Sequence, residues 1–125
     1  MEPNFGILGN NSKFVCGENG QAPIVCNRDQ LDVWDTFTLG DLGDGRVTLR
    51  CLGWYLSSEN GMNPMNCNRV EFGSWEIFEW ISNDDLTFSL RGNNGKYVCS
   101  ENGEGPMNCN RDWIQSWERF IRIDL

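Results

Sequence analysis

Apolar and polar residues alternate over short runs along the chain, as in "RVTLRC" (46–51) and "LTFSLR" (86–91), and glycine, asparagine and proline break the runs at short intervals. A period of two sends successive side chains to opposite faces of a strand, and no stretch carries the 3.6-residue period of an amphipathic helix. The pattern predicts four short strands at 5–8, 13–17, 23–27 and 34–39, after which the same grammar starts again.

The recurrence is also visible in individual residues. Glu18, Glu59 and Glu101 open three "ENG" segments, Arg28, Arg69 and Arg111 close three "CNR" segments, and Trp34, Trp75 and Trp117 are each followed three residues later by Phe37, Phe78 and Phe120. Each series steps by 41 and then 42 residues. The odd residue falls in one turn, where "GNNSKF" (9–14) and "RGNNGKY" (91–97) are answered by the tighter "RCLGWY" (50–55). A fixed period of this size marks a repeat architecture. Three units (4–43, 44–84 and 85–125) of four strands give twelve, and closing them around a pseudo-threefold axis leaves no free sheet edge. The predicted fold is therefore all-β, a β-trefoil forming one domain over 1–125. A three-bladed propeller is disfavoured because propellers use about four to eight blades.

Alternation assigns the faces. In "GPMNCNR", Met107 and Cys109 share one face and Asn108 and Asn110 the other; Met65 with Cys67, and Ile24 with Cys26, repeat the choice. The sulfurs are expected inside with Val15, Leu56, Val98, Ile7, Leu49, Leu90 and the three phenylalanines. Cys16 and Cys99 follow inward residues by one position, so each should point away from its hairpin partner Cys26 or Cys109, a geometry that a disulfide cannot bridge. Ser57 takes the outer position in the second unit. Free thiols are expected, with Cys26, Cys67 and Cys109 as small buried hydrophobes. They lean toward a reducing, cytoplasmic location, the alternative being a module excised from a larger secreted protein.

Charge and composition narrow the function. The chain has 125 residues with 18 acidic and 10 basic, a net charge of −8, and no histidine. Such a charge disfavours nucleic acid and other polyanionic partners. The N-terminal "MEPNFGILGNNSKF" has neither a basic leader nor a long apolar run, so a soluble, unprocessed chain without membrane insertion is expected. Without histidine or a C-x-x-C spacing, no metal site and no cofactor are expected.

The repeated polar loop holds the candidate chemistry. Gly20, Gly61 and Gly103 suit a turn needing positive φ, and Asn19, Asn60 and Asn102 suit the same turn through backbone hydrogen bonds. Packing does not require Glu18, Glu59 and Glu101, Arg28, Arg69 and Arg111, the neighbouring Asn27, Asn68 and Asn110, or Asp35, Glu76 and Glu118 after each tryptophan. Carboxylate acceptors, amide and guanidinium donors and an aromatic platform match a sugar's hydroxyls and its weakly apolar C–H face. Loop-fixing ion pairs for the charged residues and core packing for Trp34, Trp75 and Trp117 are the structural alternatives. Two further tryptophans stand outside the repeat: Trp54 where the other units have Lys13 and Lys96, and Trp113 where they have Gln30 and Glu71. Either is placed to stack on a ligand or to cover an apolar patch. Asp35 and the "DVW" sequence make the first unit the expected weakest site.

The composite "GKYV-S-ENG-PMNCNR-SWERF" (95–120) resembles the fascin-like β-trefoil repeat, and matching segments span about 9–39, 50–80 and 92–123. Within that superfamily the chain is most similar to carbohydrate-binding modules and lectins, including β-glucan binders with one shallow aromatic-and-carboxylate site per repeat. The resemblance implies a non-catalytic glycan- or polysaccharide-binding protein with up to three shallow sites, acting multivalently and expected to be a monomer. The alternatives are a fascin-type actin-binding module, for which the basic surface and tandem organisation are missing, and a protease-inhibitor-like trefoil. Of the ricin-type Q-x-W signature only Gln115-Ser116-Trp117 is present. Glycosidase chemistry would need paired carboxylates in divergent environments; three similar, exposed sets are expected here, so an enzyme is disfavoured.

Overall fold

The computed structural model describes residues 4–125. Its twelve strands are β1 (Asn4–Leu8), β2 (Phe14–Cys16), β3 (Val25–Arg28), β4 (Phe37–Gly43), β5 (Arg46–Cys51), β6 (Trp54–Ser57), β7 (Asn66–Arg69), β8 (Phe78–Ser82), β9 (Phe88–Arg91), β10 (Tyr97–Cys99), β11 (Asn108–Arg111) and β12 (Ile121–Asp124). Six of them pair antiparallel in the order β12-β1-β4-β5-β8-β9. Phe88 and Phe120 close the circle by exchanging two backbone hydrogen bonds of 2.8 Å. The hairpins β2–β3, β6–β7 and β10–β11 complete the three units. The architecture is a β-trefoil.

Backbone atoms make the threefold relationship explicit. Ile24 N donates to Met65 O at 3.0 Å, Met65 N to Met107 O at 3.0 Å, and Met107 N to Ile24 O at 2.9 Å, a ring in which each unit is donor to one neighbour and acceptor from the other. Strand edges that would otherwise sit unpaired beneath the hairpins are satisfied by it.

The inward set is the one the alternation assigns. Val15, Leu56 and Val98, Ile7, Leu49 and Leu90, and Phe37, Phe78 and Phe120 are buried in one cluster with Ile24, Met65, Met107 and the three inner cysteines. Full burial stabilises by about 1.5–3 kcal/mol per large apolar side chain, so this single cluster dominates the fold. Cys26, Cys67 and Cys109 also direct their thiols at the carbonyls of Lys13, Trp54 and Lys96, at 3.3, 3.2 and 3.4 Å.

Three expectations need correction. The strand expected at 34–39 begins only at Phe37, because Val33–Asp35 forms a 3₁₀ turn, as do Ser74–Glu76 and Ser116–Glu118. The cause is the carboxylate that follows each tryptophan: Asp35 accepts from Asp32 N at 3.0 Å, Glu76 from Gly73 N at 2.7 Å and Glu118 from Gln115 N at 2.8 Å, fixing the turn. For the same reason these carboxylates are buried, not exposed. The outer cysteines, finally, are as buried as the inner ones. Cys16 and Cys99 accept from Glu18 N and Glu101 N at 3.4 and 3.3 Å, and Ser57 does the same for Glu59 N at 3.1 Å. That position needs a small acceptor under the "ENG" turn, which either sulfur or hydroxyl supplies.

Candidate functional site

Each "ENG" segment is a left-handed turn. Glu, Asn and Gly all have positive φ, at 57, 52 and 74° in the first unit, 53, 55 and 74° in the second and 55, 55 and 75° in the third. Glutamate is an uncommon residue for this region and costs about 1–2 kcal/mol there, so something must hold it. Arg28, Arg69 and Arg111 do so from the ends of β3, β7 and β11, donating to Glu18, Glu59 and Glu101 at 2.9, 2.6 and 2.7 Å. Each guanidinium also bonds the carbonyl of the preceding amide, Asn27, Asn68 or Asn110. In the second and third units Asn66 and Asn108 donate to the other oxygen of Glu59 and Glu101, at 2.9 and 3.0 Å. Val25 stands there in the first unit, so its triad is one bond poorer.

The ion pair is therefore structural, and it also aims an arginine at a cleft. On the third unit a cleft of about 510 Å³ lies between the end of β11 and the 3₁₀ turn, lined by Asn110, Arg111, Trp113, Gln115, Trp117 and Glu118 among others. The first unit has the equivalent cleft, about 480 Å³, lined by Arg28, Asp29, Gln30, Asp32, Trp34 and Asp35 among others. Trp34 is 39% exposed and Trp113 is 74% exposed, while Trp75 and Trp117 are half-buried. The repeated tryptophans are thus not core residues. Their backbone does structural work, since the carbonyls of Trp34, Trp75 and Trp117 accept from Gly17 N, Ser58 N and Ser100 N at 2.7–2.8 Å, leaving the rings toward solvent.

The remaining candidates separate. Asp35 and Glu118 form the inner walls of the two clefts, and these two and Glu76 face the backbone they cap. Asp35 Oδ1 is the buried side-chain polar atom without a partner among the described residues. Trp54 lies away from the clefts: its indole packs on Gly20 of the first unit, with ring atoms 3.4 Å from where a β-carbon would sit, and against the core. At the other two unit boundaries Asn94 and Asn11 stand over Gly61 and Gly103 and donate to Cys109 O and Cys26 O, both at 2.9 Å, and the preceding asparagine ties the turn from the side. Ser58 donates to Asn93 at 2.7 Å and Asn93 to Asn60 at 2.8 Å; Ser100 donates to Asn10 at 2.6 Å and Asn10 to Asn102 at 2.9 Å. Between the first and second units, Gly17 meets Cys51 and Trp54 covers the turn instead. The tightened "CLGW" loop, turning through Leu52 and Gly53 at φ 53 and 83°, has no asparagine to offer.

Sequence reading missed Asp29, Asp32, Asp112, Gln115 and Ser116 as cleft residues. They differ among units, and a search for repeated residues passes over them. Lys13 and Lys96 pair with Asp29 and Asp112 at the rim, whereas the same two positions in the second unit are Trp54 and Val70.

The thiols take no part in this surface. All six cysteines are free and buried. Burial pushes Cys16, Cys67 and Cys99 up to about 12 and Cys26, Cys51 and Cys109 up to about 11, so they stay protonated and unreactive.

No protein-family model matches the sequence, and no curated protein matches it; solved structures do. The designed threefold-symmetric protein ThreeFoil is similar over 98% of this chain and 99% of its own, with TM-score 0.87 and 17% identity. SeviL, solved with asialo-GM1 saccharide, is similar over 98% of both chains (TM-score 0.81, 10% identity). An exo-β-1,3-galactanase from Clostridium thermocellum is similar over 98% of this chain and 30% of its own (TM-score 0.84, 14% identity). At such identities the likeness defines the class of fold, a β-trefoil.

Proposed function

We propose that this protein is a non-catalytic carbohydrate-binding β-trefoil whose principal ligand sites are the first- and third-unit clefts between the third strand of the unit and the 3₁₀ turn carrying the repeated tryptophan. One observation carries the reading. At equivalent places on the first and third units, a cleft of about 500 Å³ combines an arginine fixed by a glutamate with an exposed tryptophan ring, the repeated Trp34 in the first and the extra Trp113 in the third, where the repeated Trp117 is half-buried. A fixed donor and an aromatic face are what a hexose needs, its hydroxyls taking the hydrogen bonds and its C–H face the ring. The SeviL structure with a glycan and the galactanase supply analogy at the level of the fold.

The carboxylates are engaged as caps or as arginine partners, which supports binding over hydrolysis. Up to three shallow sites on one rigid frame would raise avidity for a branched or insoluble polymer such as a β-glucan without any new contact.

Affinity electrophoresis through gels containing a β-1,3-glucan, a β-1,3-galactan or no polymer tests the proposal. Retardation by at least one neutral polymer, relieved by free oligosaccharide, is expected. Mobility unchanged in every gel and no binding on a broad glycan array would overturn it.

A further inference from the structure

The three units share a frame but not a rim. The third has Asp112, Trp113, Gln115 and Ser116; the corresponding residues are Asp29, Gln30, Asp32 and Val33 in the first unit and Val70, Glu71, Gly73 and Ser74 in the second. We propose, resting on the carbohydrate reading above, that the third-unit cleft is the dominant site, that Trp113 is its affinity-determining residue, and that it selects neutral saccharides over acidic ones.

Trp113 carries the first part. It is 74% exposed although neither sister unit has an aromatic at that place, so the fold does not require it. Standing in the cleft and exposed, its indole presents a flat apolar face with a polar N–H edge to a ligand. With Trp117 it gives this cleft two aromatic rings, where the first-unit cleft has only Trp34. Gln115 and Ser116 add neutral donors and acceptors. The first unit has Asp32 and Val33 instead, and Asp32 is already committed to Val33 N at 2.8 Å. In the second unit Gly73 offers no side chain at all.

Charge carries the second part. Among the described residues, the cation lining the third cleft, Arg111, is paired with Glu101, the cation at its rim, Lys96, is paired with Asp112, and the capping Glu118 adds a further acid behind them. Both charges are already compensated, so among the described residues neither is free to neutralise a uronate, sialate or sulfate, and the chain's charge of −8 opposes their approach. A neutral ring meets none of these costs.

The test uses the whole protein in affinity gels containing neutral β-1,3-galactan or β-1,3-glucan, or the acidic polymers polygalacturonate and chondroitin sulfate, at low and physiological salt. Four proteins are run: the parent, Trp113→Gln, which installs the first unit's own residue, Trp34→Ala and Trp75→Ala. The expectation is retardation by a neutral polymer, at least tenfold weaker for Trp113→Gln and less than threefold weaker for the other two variants, with no retardation by either acidic polymer. Neutral binding that survives Trp113→Gln but falls with Trp34→Ala or Trp75→Ala would overturn the dominance of the third cleft while leaving carbohydrate binding intact. Retardation by an acidic polymer at physiological salt would overturn the selectivity. Failure of the parent to bind any polymer would overturn the carbohydrate reading and this inference together. Trp113 is a surface residue, and an unchanged melting temperature for Trp113→Gln would show that a loss of binding is not a loss of fold.

Discussion

Arg111 donates from Nη2 to Glu101 Oε1 at 2.7 Å, joining the end of β11 to a left-handed turn ten residues earlier. The same bond links Arg69 to Glu59 and Arg28 to Glu18. The ion pair holds a glutamate in a backbone region glutamate disfavours in every unit, and in the first and third it also fixes an arginine beside a tryptophan cleft.

The three pairs should not be equal in stability. Glu59 is buried and bonds both Arg69 and Asn66, whereas Glu18 is more exposed and lacks the asparagine. Glu59→Ala should cost about 2 kcal/mol and Glu18→Ala about 1 kcal/mol or less, with Glu101→Ala between them. Urea midpoints of the three variants check the order, and equal losses would show that the partners of Glu59 do not matter.

Glycine substitutions should reveal the odd boundary between the first two units. A β-carbon on Gly61 would overlap Asn94 Nδ2 and lie 2.8 Å from Cys109 O; on Gly103 it would lie 2.6 Å from Asn11 Nδ2 and 2.7 Å from Cys26 O; on Gly20 its nearest neighbours are at 3.4 Å. All three glycines have positive φ. Gly20→Ala is expected to cost only the backbone preference, about 1 kcal/mol, and the other two at least about 2 kcal/mol. Thermal melts give the comparison.

Trp54 and Trp113 should behave oppositely. Trp54→Ala removes packing on Gly20 and the core and should lower stability by about 2 kcal/mol while leaving retardation in a neutral polysaccharide gel unchanged. Trp113→Gln should do the reverse. Loss of binding in a folded Trp54→Ala protein would place that indole at a ligand site after all.

Alkaline pH should destabilise the protein through its thiols. Six cysteines have folded pKa values raised by burial to about 11 or about 12, against 9.0 for a free thiol. Above pH 9 the unfolded chain loses these protons while the native chain keeps them, so the native state binds more protons and stability falls as pH rises. The contribution is complete below about pH 9 and is lost between pH 9 and the folded values near 11 to 12. Urea midpoints measured from pH 8 to 10.5 should fall, and fall less in a Cys26→Ala, Cys109→Ala double variant. A chromogenic thiol reagent at pH 8 should label none of the six until the protein unfolds.

Much of this was legible in the chain. The period of 41 and 42 residues, the inward face of Ile24, Met65 and Met107 and the tightened second-unit turn all follow from local pattern. The burial of Asp35, Glu76 and Glu118 does not. Their spacing from the tryptophan was visible, but whether a carboxylate faces water or a backbone N–H three residues back depends on the turn it makes. Cys16 and Cys99 were similarly placed on the outer face, and only the docked 3₁₀ turn and "ENG" turn make that face an interior.

The sequence by itself determined the trefoil, because strand periodicity and threefold repetition are properties of neighbouring and equivalent residues. Tertiary structure alone decided the roles of the two extra tryptophans. Each looks the same from its own neighbours. Trp54 falls on another unit's turn and becomes packing, whereas Trp113 is left uncovered by the described residues, its ring in water in the cleft that Arg111 also lines.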